Sequence, residues 1–467
     1  MIPVPGFEGR RVAVFGLGRS GITAARALHA GGAIPILWDD GVSGRMQAEA
    51  EGFTLEDLSC ADWSGFAALV LSPGAPLTHP KPHWTVDKAK AAGVEIIGDI
   101  ELFARALART PEKVRPKVIA ITGTNGKSTT TALIGWVLKQ AGMKVAVGGN
   151  IGIGVLALPA PAEVGVYVIE VSSYQLDLTV SFAPDVAILT NITPDHLDRH
   201  GGMEGYVAAK AQIFGSQVPG SVALVGTDEP AGRAIISDLR AREDRSVAEI
   251  RTGKAILPIS GSTLVADAGV LQIYDTEIDL SGAKSLPGRH NGQNAAFAYA
   301  AARAIDLPHE ATLDGLLTFP GLAHRMEEVG RIGAVRFIND SKATNADAAR
   351  QALSSYDRSF WIAGGRAKAG GIDDLHDLFP RVMEAFLIGE AAGPFAARLG
   401  DTPHRISGDM ATAVKAAYEA AAATGREEVV LLSPAAASFD QFPDFEVRGE
   451  AFRAAVLNLG ATTSGHG

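Results

Sequence analysis

The fold of this chain is decided by one stretch, Val118-Ile119-Ala120-Ile121-Thr122-Gly123-Thr124-Asn125-Gly126-Lys127-Ser128-Thr129-Thr130. Its first four residues form an apolar, mostly β-branched run, which is typical of a buried strand. The glycine-bearing turn that follows leads into a helical pattern over residues 131–138. Because backbone N–H groups and the helix dipole converge at such a turn, the stretch predicts an anion-binding loop.

A lysine and a hydroxyl complete the predicted loop. Lys127 can reach terminal phosphates, and Ser128 directly after it is placed to ligate Mg²⁺. The strict eight-residue pattern has glycine where this chain has Ile121. A simple glycine-rich turn is the alternative, but the full run from strand through Gly-Lys-Ser-Thr favours a nucleoside triphosphate site.

Length and composition indicate a multidomain α/β protein. A chain of 467 residues is too long for one core, and 47% hydrophobic with 20% charged residues is ordinary for a globular protein. The net charge of −10 argues against nucleic acid as the main partner. A single cysteine, Cys60, excludes an internal disulfide and fits a reducing cytoplasm. We expect no signal peptide and no membrane span.

The first hundred residues carry a dinucleotide-binding fingerprint. A predicted strand over residues 11–15 is followed by Gly16-Leu17-Gly18-Arg19-Ser20-Gly21, and Asp39 ends the next strand. Ser72 follows a third strand, at the edge where open sheets bind ligands. Two interpretations remain open, namely NAD binding by a dehydrogenase and binding of another pyrophosphate compound such as a nucleotide sugar.

The middle region places acids and a histidine at strand ends. Glu170 lies in a buried strand, where a carboxylate is costly unless it is paired or holds a cation. We favour a Mg²⁺ ligand over a hydrogen-bonded structural acid. Asp195, His196 and Asp198 follow another strand and suit a second metal or acid–base chemistry. A capped helix start would explain the aspartates equally well.

Other features of this region are ambiguous from the residues alone. Lys210 follows Tyr206 by one helical turn, and by itself it is best interpreted as a solvated helix lysine. Asn291 and Asn294 could contact a base or a carboxylate, or could only cap a helix. The alternating pattern over residues 254–280 predicts a small antiparallel addition to the central domain.

The last third of the chain repeats strand–helix units. Strand patterns begin the segments 335–345 and 359–368, which continue into a polar loop and a glycine turn, and further strands lie at residues 385–389 and 428–434, with helical patterns between them. Such units predict a third, Rossmann-like domain. We therefore predict three α/β domains, a Rossmann-like domain over residues 1–110, a P-loop ATPase-type domain over residues 111–321 and a Rossmann-like domain over residues 322–467.

Taken together, the motifs resemble those of the Mur ligase family, and within it the members that add D-glutamate. The resemblance spans nearly the whole chain and rests on residues 122–129, 149–152, 170–175, 191–198, 290–294, 339–345 and 433–441. Asp-Ser-Lys-Ala-Thr-Asn at 340–345 and the Ser-Phe-Asp-Gln-Phe segment at 438–442 point to the D-glutamate-adding members. The phosphate loop and the His-Asn-x-x-Asn motif are shared by the whole family.

The resemblance implies an ATP-dependent ligase with two Mg²⁺ ions that activates the carboxylate of UDP-N-acetylmuramoyl-L-alanine and couples it to D-glutamate, in the cytoplasm and as a monomer. The implied catalytic residues are Lys127, His196, Lys210 and Lys368. The implied ATP contacts are Gly123, Thr124, Asn125, Gly126, Lys127, Ser128, Thr129, Asn291, Asn294, Arg325 and Asp340. The implied metal ligands are Ser128, Glu170, His196 and Lys210, the last as a carbamylated lysine.

The same resemblance implies substrate contacts at Leu17, Gly18, Arg19, Ser20, Asp39, Ser72, Asn150, Thr344, Lys368, Ser438 and Phe445. Arg366 and Ala367 depart from the residues expected beside Lys368, and Ala436 stands where cysteine is frequent. Three alternative functions remain open. Another Mur ligase or a folylpolyglutamate synthase shares the central domain, a dehydrogenase would use only the first glycine loop, and a nucleotide switch would perform no ligation.

Overall fold

A computed structural model describes residues 1–253, 263–273, 276–368 and 370–462. It contains three sheets, of five, nine and six strands. Together they form the predicted three-domain α/β architecture. By its contacts the chain divides into two compact units. Unit 1 comprises Met1–Gly282 and Asn291–Phe319, and unit 2 comprises Ala283–His290 and Pro320–Gly467. The predicted domain limits at residues 110 and 321 stay predictions.

The first sheet is fully parallel in the order β3-β2-β1-β4-β5, which is Rossmann-like. The strand order reverses between β1 and β4, so the ligand crevice is expected beyond the ends of these two strands. The strands are β1 (Arg11–Phe15), β2 (Ile34–Trp38), β3 (Thr54–Leu55), β4 (Phe66–Leu71) and β5 (Glu95–Ile97). The helices are α1 (Arg19–Ala30), α2 (Val42–Ala50), α3 (Trp84–Ala91) and α4 (Asp99–Ala108).

The second sheet has the order β14-β13-β12-β11-β10-β9-β6-β8-β7. It is parallel from β7 to β12, and its last two pairings are antiparallel. The strands are β6 (Lys117–Thr122), β7 (Val145–Gly149), β8 (Val166–Glu170), β9 (Val186–Leu189), β10 (Val222–Gly226), β11 (Ser246–Thr252), β12 (Thr263–Asp267), β13 (Val270–Ile273) and β14 (Thr276–Asp279). The helices are α5 (Lys127–Gln140), α6 (Ser173–Leu176), α7 (Leu197–His200), α8 (Met203–Ala211), α9 (Pro230–Arg240), α10 (Gly288–Ala304) and α11 (His309–Leu317).

The antiparallel strands β12, β13 and β14 agree with the small addition predicted over residues 254–280. Residues 254–262 and 274–275 of that prediction lie outside the described residues. The central strand β6 has no exposed residue beyond its first, because β8 and β9 flank it and α5 packs against it. The glycine turn that follows its carboxyl end is therefore held in a fixed position.

The third sheet, in unit 2, has the order β15-β16-β20-β17-β18-β19 and is parallel except for β15. The strands are β15 (Glu327–Ile332), β16 (Val335–Asn339), β17 (Ser359–Gly364), β18 (Val382–Ile388), β19 (His404–Gly408) and β20 (Glu428–Leu432). The helices are α12 (Ala346–Ser354), α13 (Ala392–Leu399), α14 (Met410–Ala423) and α15 (Phe445–Asn458). Among the described helices of the chain, none is long and apolar enough to cross a membrane.

Candidate active site

The predicted phosphate loop is a tight turn between β6 and α5. Gly126 precedes the first residue of α5 in the left-handed conformation, at φ 81°. A Cβ atom there would lie 2.6 Å from Oδ1 of Asn294, so only glycine fits this position. Asn294 in turn accepts from the Thr130 hydroxyl at 3.2 Å and donates to Asn291 at 3.1 Å. The two predicted amides thus lie directly against the loop.

The loop's lysine and hydroxyls lie at the start of α5. Lys127 Nζ donates to the carbonyl oxygens of Gly123 and Thr124, at 2.9 and 2.8 Å. Ser128 and Thr129 are both buried in the first helical turn. A cation therefore lies beside a helix N-terminus whose N–H groups face the turn, an arrangement suited to phosphate.

The residues after β9 brace the loop, and sequence reasoning did not select them as site residues. Thr190 Oγ1 donates to the Asn125 carbonyl at 2.7 Å, and Asn191 Oδ1 accepts from the Asn125 N–H at 2.9 Å. A Cβ on Gly123 would lie 1.9 Å from Thr190 Oγ1. The rule that parallel strands end at one sheet edge could have identified them, because β9 pairs with β6.

Lys210 is buried against the phosphate loop, with 2% of its surface exposed. Its interpretation as a solvated helix lysine is therefore wrong. Its Nζ donates to the Gly123 carbonyl at 2.7 Å and lies 4.6 Å from the ring centre of Tyr206. Burial, and then the charge of Lys127, lower the pKa of Lys210 well below its ordinary value. The tertiary fold, through α8, produces this burial.

Glu170 has one satisfied and one unsatisfied carboxylate oxygen. Oε1 accepts from the Asn150 amide at 2.9 Å, whereas Oε2 is buried without a hydrogen-bond partner. An orphaned buried carboxylate oxygen is costly, and a bound cation would remove the cost. Glu170 and Asp195 are both close enough to Lys210 to favour its charged form. The residues present therefore fit a Mg²⁺ ion beside the loop.

His196 lies just before α7 in the left-handed conformation, at φ 53°. Its ring centre is 5.0 Å from that of Tyr174, and its Nε2 is 3.5 Å from Asp195 Oδ2. His196 is the N-cap residue of α7 and makes no side-chain cap hydrogen bond, and Asp195 Oδ1 accepts from the His196 N–H at 3.0 Å. In the described ranges, no three His, Cys, Asp or Glu side chains converge on one metal position. A metal here needs additional oxygen ligands.

The predicted uridine-nucleotide residues gather at the reversal point of the first sheet. Asp39 Oδ2 accepts from the Leu17 N–H at 2.5 Å, which fixes the glycine loop against the end of β2. A Cβ on Gly16 would lie 2.4 Å from that of Ser72, so this loop and the turn after β4 touch. Gly18 and Arg19 begin α1, and Arg19 donates to the Gly152 carbonyl at 3.0 Å.

Ser20 connects this crevice to the region of the second sheet, where Asn150 contacts Glu170. Ser20 hydrogen-bonds the buried carboxylate of Asp99, which also accepts from the Gln175 amide at 3.1 Å. Asn150 donates to Glu170, as described above. Within unit 1 the first-sheet crevice thus contacts the second-sheet region through Ser20 and Arg19, and the metal-binding candidate Glu170 lies in that region, at the end of β8.

In unit 2, Asp340 follows β16 and is buried. Its Oδ2 accepts from the Ser433 hydroxyl at 3.0 Å and its Oδ1 from the Met326 N–H at 3.3 Å. Burial raises the pKa of Asp340 to about 7, although the Arg325 charge opposes the shift. Burial, aided by the same Arg325, lowers the pKa of His290 to about 4. The predicted pair Arg325 and Asp340 thus interacts.

The predicted amino-acid-binding residues of unit 2 lie on adjoining loops. The segments of Lys368 and Ser438 meet where Arg366 and Ala437 exchange backbone hydrogen bonds, at 2.8 and 3.0 Å. The carbonyl of Phe445 accepts from Ser341 Oγ at 2.8 Å. Lys342, two residues before Thr344, places its Nζ 3.7 Å from the ring centre of Phe445. Lys368 is exposed and Ser438 is buried.

This fold and site define a multidomain α/β nucleotide-binding enzyme built around a phosphate loop. Residues 121–302 match the Mur ligase middle domain, and residues 324–436 match the Mur ligase glutamate ligase domain. The chain belongs to the Mur ligase family.

Individual proteins similar to this chain are also Mur ligases. The chain is 62% identical to the UDP-N-acetylmuramoylalanine–D-glutamate ligase of Caulobacter sp. (strain K31), over 98% of both chains. It is 51% identical to the protein of that name from Agrobacterium fabrum, over 99% of this chain and 98% of the other. The structure of the UDP-N-acetylmuramate-alanine ligase from Thermotoga maritima superposes with a TM-score of 0.58 at 15% identity, covering 96% and 99% of the two chains. That likeness shows the fold alone.

Proposed function

We propose that this protein is the ATP-dependent ligase that adds D-glutamate to UDP-N-acetylmuramoyl-L-alanine, forming ADP and phosphate, in the synthesis of peptidoglycan precursors for the cell wall. The observation that carries the proposal is 62% identity to a ligase of that name over 98% of both chains. The buried lysine-bearing phosphate loop supplies the chemistry that such a ligase needs. A cytoplasmic location and a monomeric state stay predictions.

Activation of the substrate acid comes first in the proposed reaction. An oxygen of the alanyl carboxylate attacks the γ-phosphorus of ATP, the bond to ADP breaks, and an acyl phosphate forms. Two unit negative charges 4 Å apart repel by ~4 kcal/mol at an effective dielectric of 20. Lys127, held at the turn, supplies the positive charge that offsets this repulsion.

Amide formation follows. The D-glutamate nitrogen attacks the carbonyl carbon, a tetrahedral intermediate forms, and the C–O bond to phosphate breaks. The nitrogen loses a proton to a phosphate oxygen, or to His196 in the alternative in which its ring does not hold Mg²⁺. The partly exposed ring of His196, beside Tyr174, is accessible for that role.

Two Mg²⁺ ions are part of the proposal, held by Ser128, Glu170, His196 and a modified Lys210. When bound, they would neutralise charge on the phosphates. Glu170 supports this assignment through its unsatisfied buried oxygen. Lys210 supports it because burial favours the neutral form of its amine. A neutral amine can add to CO₂: a bond forms from Nζ to carbon, one proton leaves, and an anionic carbamate results. The carbamate would supply one of the oxygen ligands that the side chains alone lack.

Substrate contacts are proposed at three groups of residues. The uridine diphosphate would bind Leu17, Gly18, Arg19, Ser20, Asp39 and Ser72, with Asn150 toward the muramoyl-alanine part. ATP would also contact Gly123, Thr124, Asn125, Gly126, Thr129, Asn291, Asn294, Arg325 and Asp340. D-glutamate would bind Thr344, Lys368, Ser438 and Phe445, and Lys368 would also act at the reacting atoms.

The test is ADP release with UDP-N-acetylmuramoyl-L-alanine and one amino acid at a time. We expect release with D-glutamate, and little with L-glutamate, L-lysine or L-alanine. Release that is equal with all four, or absent with D-glutamate, would refute the proposal. A parallel assay for nicotinamide absorbance should show no change, because the crevice of the first sheet is assigned to uridine diphosphate.

A further inference from the structure

Arg199 is not among the residues proposed above to bind substrate, ATP or metal. It connects the nucleotide crevice of the first sheet to helix α7 beside His196. Arg199 lies in α7, three residues after His196. Its guanidinium donates to the carbonyl oxygens of Gly74 and Pro73, at 3.1 and 3.2 Å, although these residues lie 125 and 126 positions away. The same guanidinium lies 4.5 Å from the ring centre of Tyr174. Arg199 therefore fastens α7 to the turn after β4.

That turn is part of the proposed uridine-nucleotide crevice. It begins at Ser72, whose N–H donates to the Phe15 carbonyl at 2.9 Å. Because a Cβ on Gly16 would lie 2.4 Å from the Ser72 Cβ, the turn cannot shift without moving the glycine loop. Arg199 thus binds the turn after β4, and that turn is itself fixed by its packing against the glycine loop of the crevice.

The other end of the connection reaches a proposed metal ligand. Tyr174, on which Arg199 lies, also contacts the His196 ring, with ring centres 5.0 Å apart. His196 has a left-handed backbone, which non-glycine residues adopt only where the surrounding structure enforces it. Release of α7 would therefore let His196 relax away from its position.

A second contact fixes the same helix. A Cβ on Gly201, at the end of α7, would lie 2.6 Å from Nε2 of His79, so the two residues pack closely. His79 belongs to the same connection after β4. Within the described chain, Arg199 has no carboxylate partner, and its Nε is buried without an acceptor. Its contacts to the turn are therefore made through neutral carbonyls and packing, and not through an ion pair.

We propose that Arg199 is a positioning residue that fixes the position of His196 relative to the nucleotide crevice. A substrate acid bound in the crevice would then lie beside the proposed metal ligand His196. This inference rests on the proposed function and adds a residue to it. The contacts of Arg199 are with Gly74, Pro73 and Tyr174, so we assign it no role at the reacting atoms. Its loss should therefore impair turnover and metal use much more than substrate binding.

The test compares Arg199→Met and Arg199→Lys with Arg115→Met. Arg115 is a matched control because it also donates only to backbone carbonyls, of Thr110 and Ala108, and it precedes β6, whereas the phosphate loop follows the opposite, carboxyl end of that strand. We expect Arg199→Met to lower kcat by about 10- to 100-fold, as small misplacements of reacting groups do, and to raise the half-saturating Mg²⁺ concentration. Arg199→Lys should be intermediate, and Arg115→Met unchanged.

Two readouts separate positioning from general damage. Calorimetric affinity for UDP-N-acetylmuramoyl-L-alanine without ATP, and the thermal unfolding midpoint, should stay near the wild-type values in Arg199→Lys. In the His196→Ala background, Arg199→Met should cause little further loss of kcat, since both changes act on one group. Fully multiplicative losses, or weakened binding with unchanged kcat, would overturn the inference. An inactive wild-type protein would instead refute the proposed function.

Discussion

Lys127 and Lys210 both donate to the carbonyl oxygen of Gly123, at 2.9 and 2.7 Å. Two cations on one carbonyl repel each other, and Lys210 is in addition almost fully buried. Both effects lower the pKa of Lys210, burial more strongly than the Lys127 charge. Burial and the neighbouring cation thus favour the neutral form of Lys210, which is the form that the proposed carbamate requires.

Replacing Lys210 should remove most activity, because the carbamate oxygen would be lost. We expect Lys210→Ala to lower kcat by at least about 100-fold, comparable to loss of one preorganised electrostatic group, and short carboxylic acids such as acetate to restore part of it. Lys139→Ala, at an exposed position of α5, is the control. In wild-type protein under ¹³CO₂, a carbamate carbon signal should appear by NMR and be absent from Lys210→Ala. Full activity of Lys210→Ala would remove the carbamate from the account.

Replacing Lys127 should separate catalysis from nucleotide-sugar binding. Lys127→Ala is expected to lower ATP-dependent turnover by about 100- to 1,000-fold, since it removes the cation at the turn. The first-sheet crevice does not include this side chain, so calorimetric affinity for UDP-N-acetylmuramoyl-L-alanine should stay within about twofold, well under 1.4 kcal/mol. Near-normal turnover would contradict the phosphate-loop assignment.

Mg²⁺ binding at Glu170 should be detectable as a change in the thermal unfolding midpoint. The buried, unpartnered Oε2 predicts that Mg²⁺ raises the unfolding midpoint of the wild-type protein, because a ligand that binds only the folded state stabilises it. Glu170→Gln keeps the shape and removes the charge, so its midpoint should respond much less to Mg²⁺. Glu163→Gln, in the loop before β8, is the control. Equal Mg²⁺ responses in Glu170→Gln and the wild type would exclude Glu170 as a ligand.

Asp340 should make the stability of unit 2 depend on pH. Its pKa is raised from 3.8 to about 7 in the folded protein. Between these values the unfolded chain loses its proton first, so the wild type loses stability as pH rises. Relative to Asp340→Asn, we expect a loss of up to ~4 kcal/mol in the free energy of unfolding between pH 4 and 8.

Urea unfolding followed by hydrogen exchange of the β16 amides measures this difference within unit 2. Asp357→Asn is the control, because Asp357 lies at the surface of the same unit. Parallel pH profiles of the wild type and Asp340→Asn would show that the carboxylate titrates normally.

Local pattern was sufficient to predict the phosphate loop, the first glycine loop and the repeated strand–helix units. Each depends on residues that are consecutive in the chain, and the fold confirmed the three-domain α/β architecture. Lys210 could not be assigned from its own segment, because its burial is produced by the packing of α8 against a loop 87 residues earlier. Arg199 was missed for the same reason. Its partners Pro73 and Gly74 are brought to it only by the packing of the first sheet against the second.

The central claim is that the substrate carboxylate is phosphorylated before the amide forms. UDP-N-acetylmuramoyl-L-alanine labelled with ¹⁸O in both alanyl carboxylate oxygens tests it directly, with ATP and D-glutamate and mass analysis of the released phosphate. The account predicts that each phosphate carries one ¹⁸O atom, because the bond between carbon and that oxygen breaks when the amide forms. Unlabelled phosphate, released together with the amide product, would contradict it.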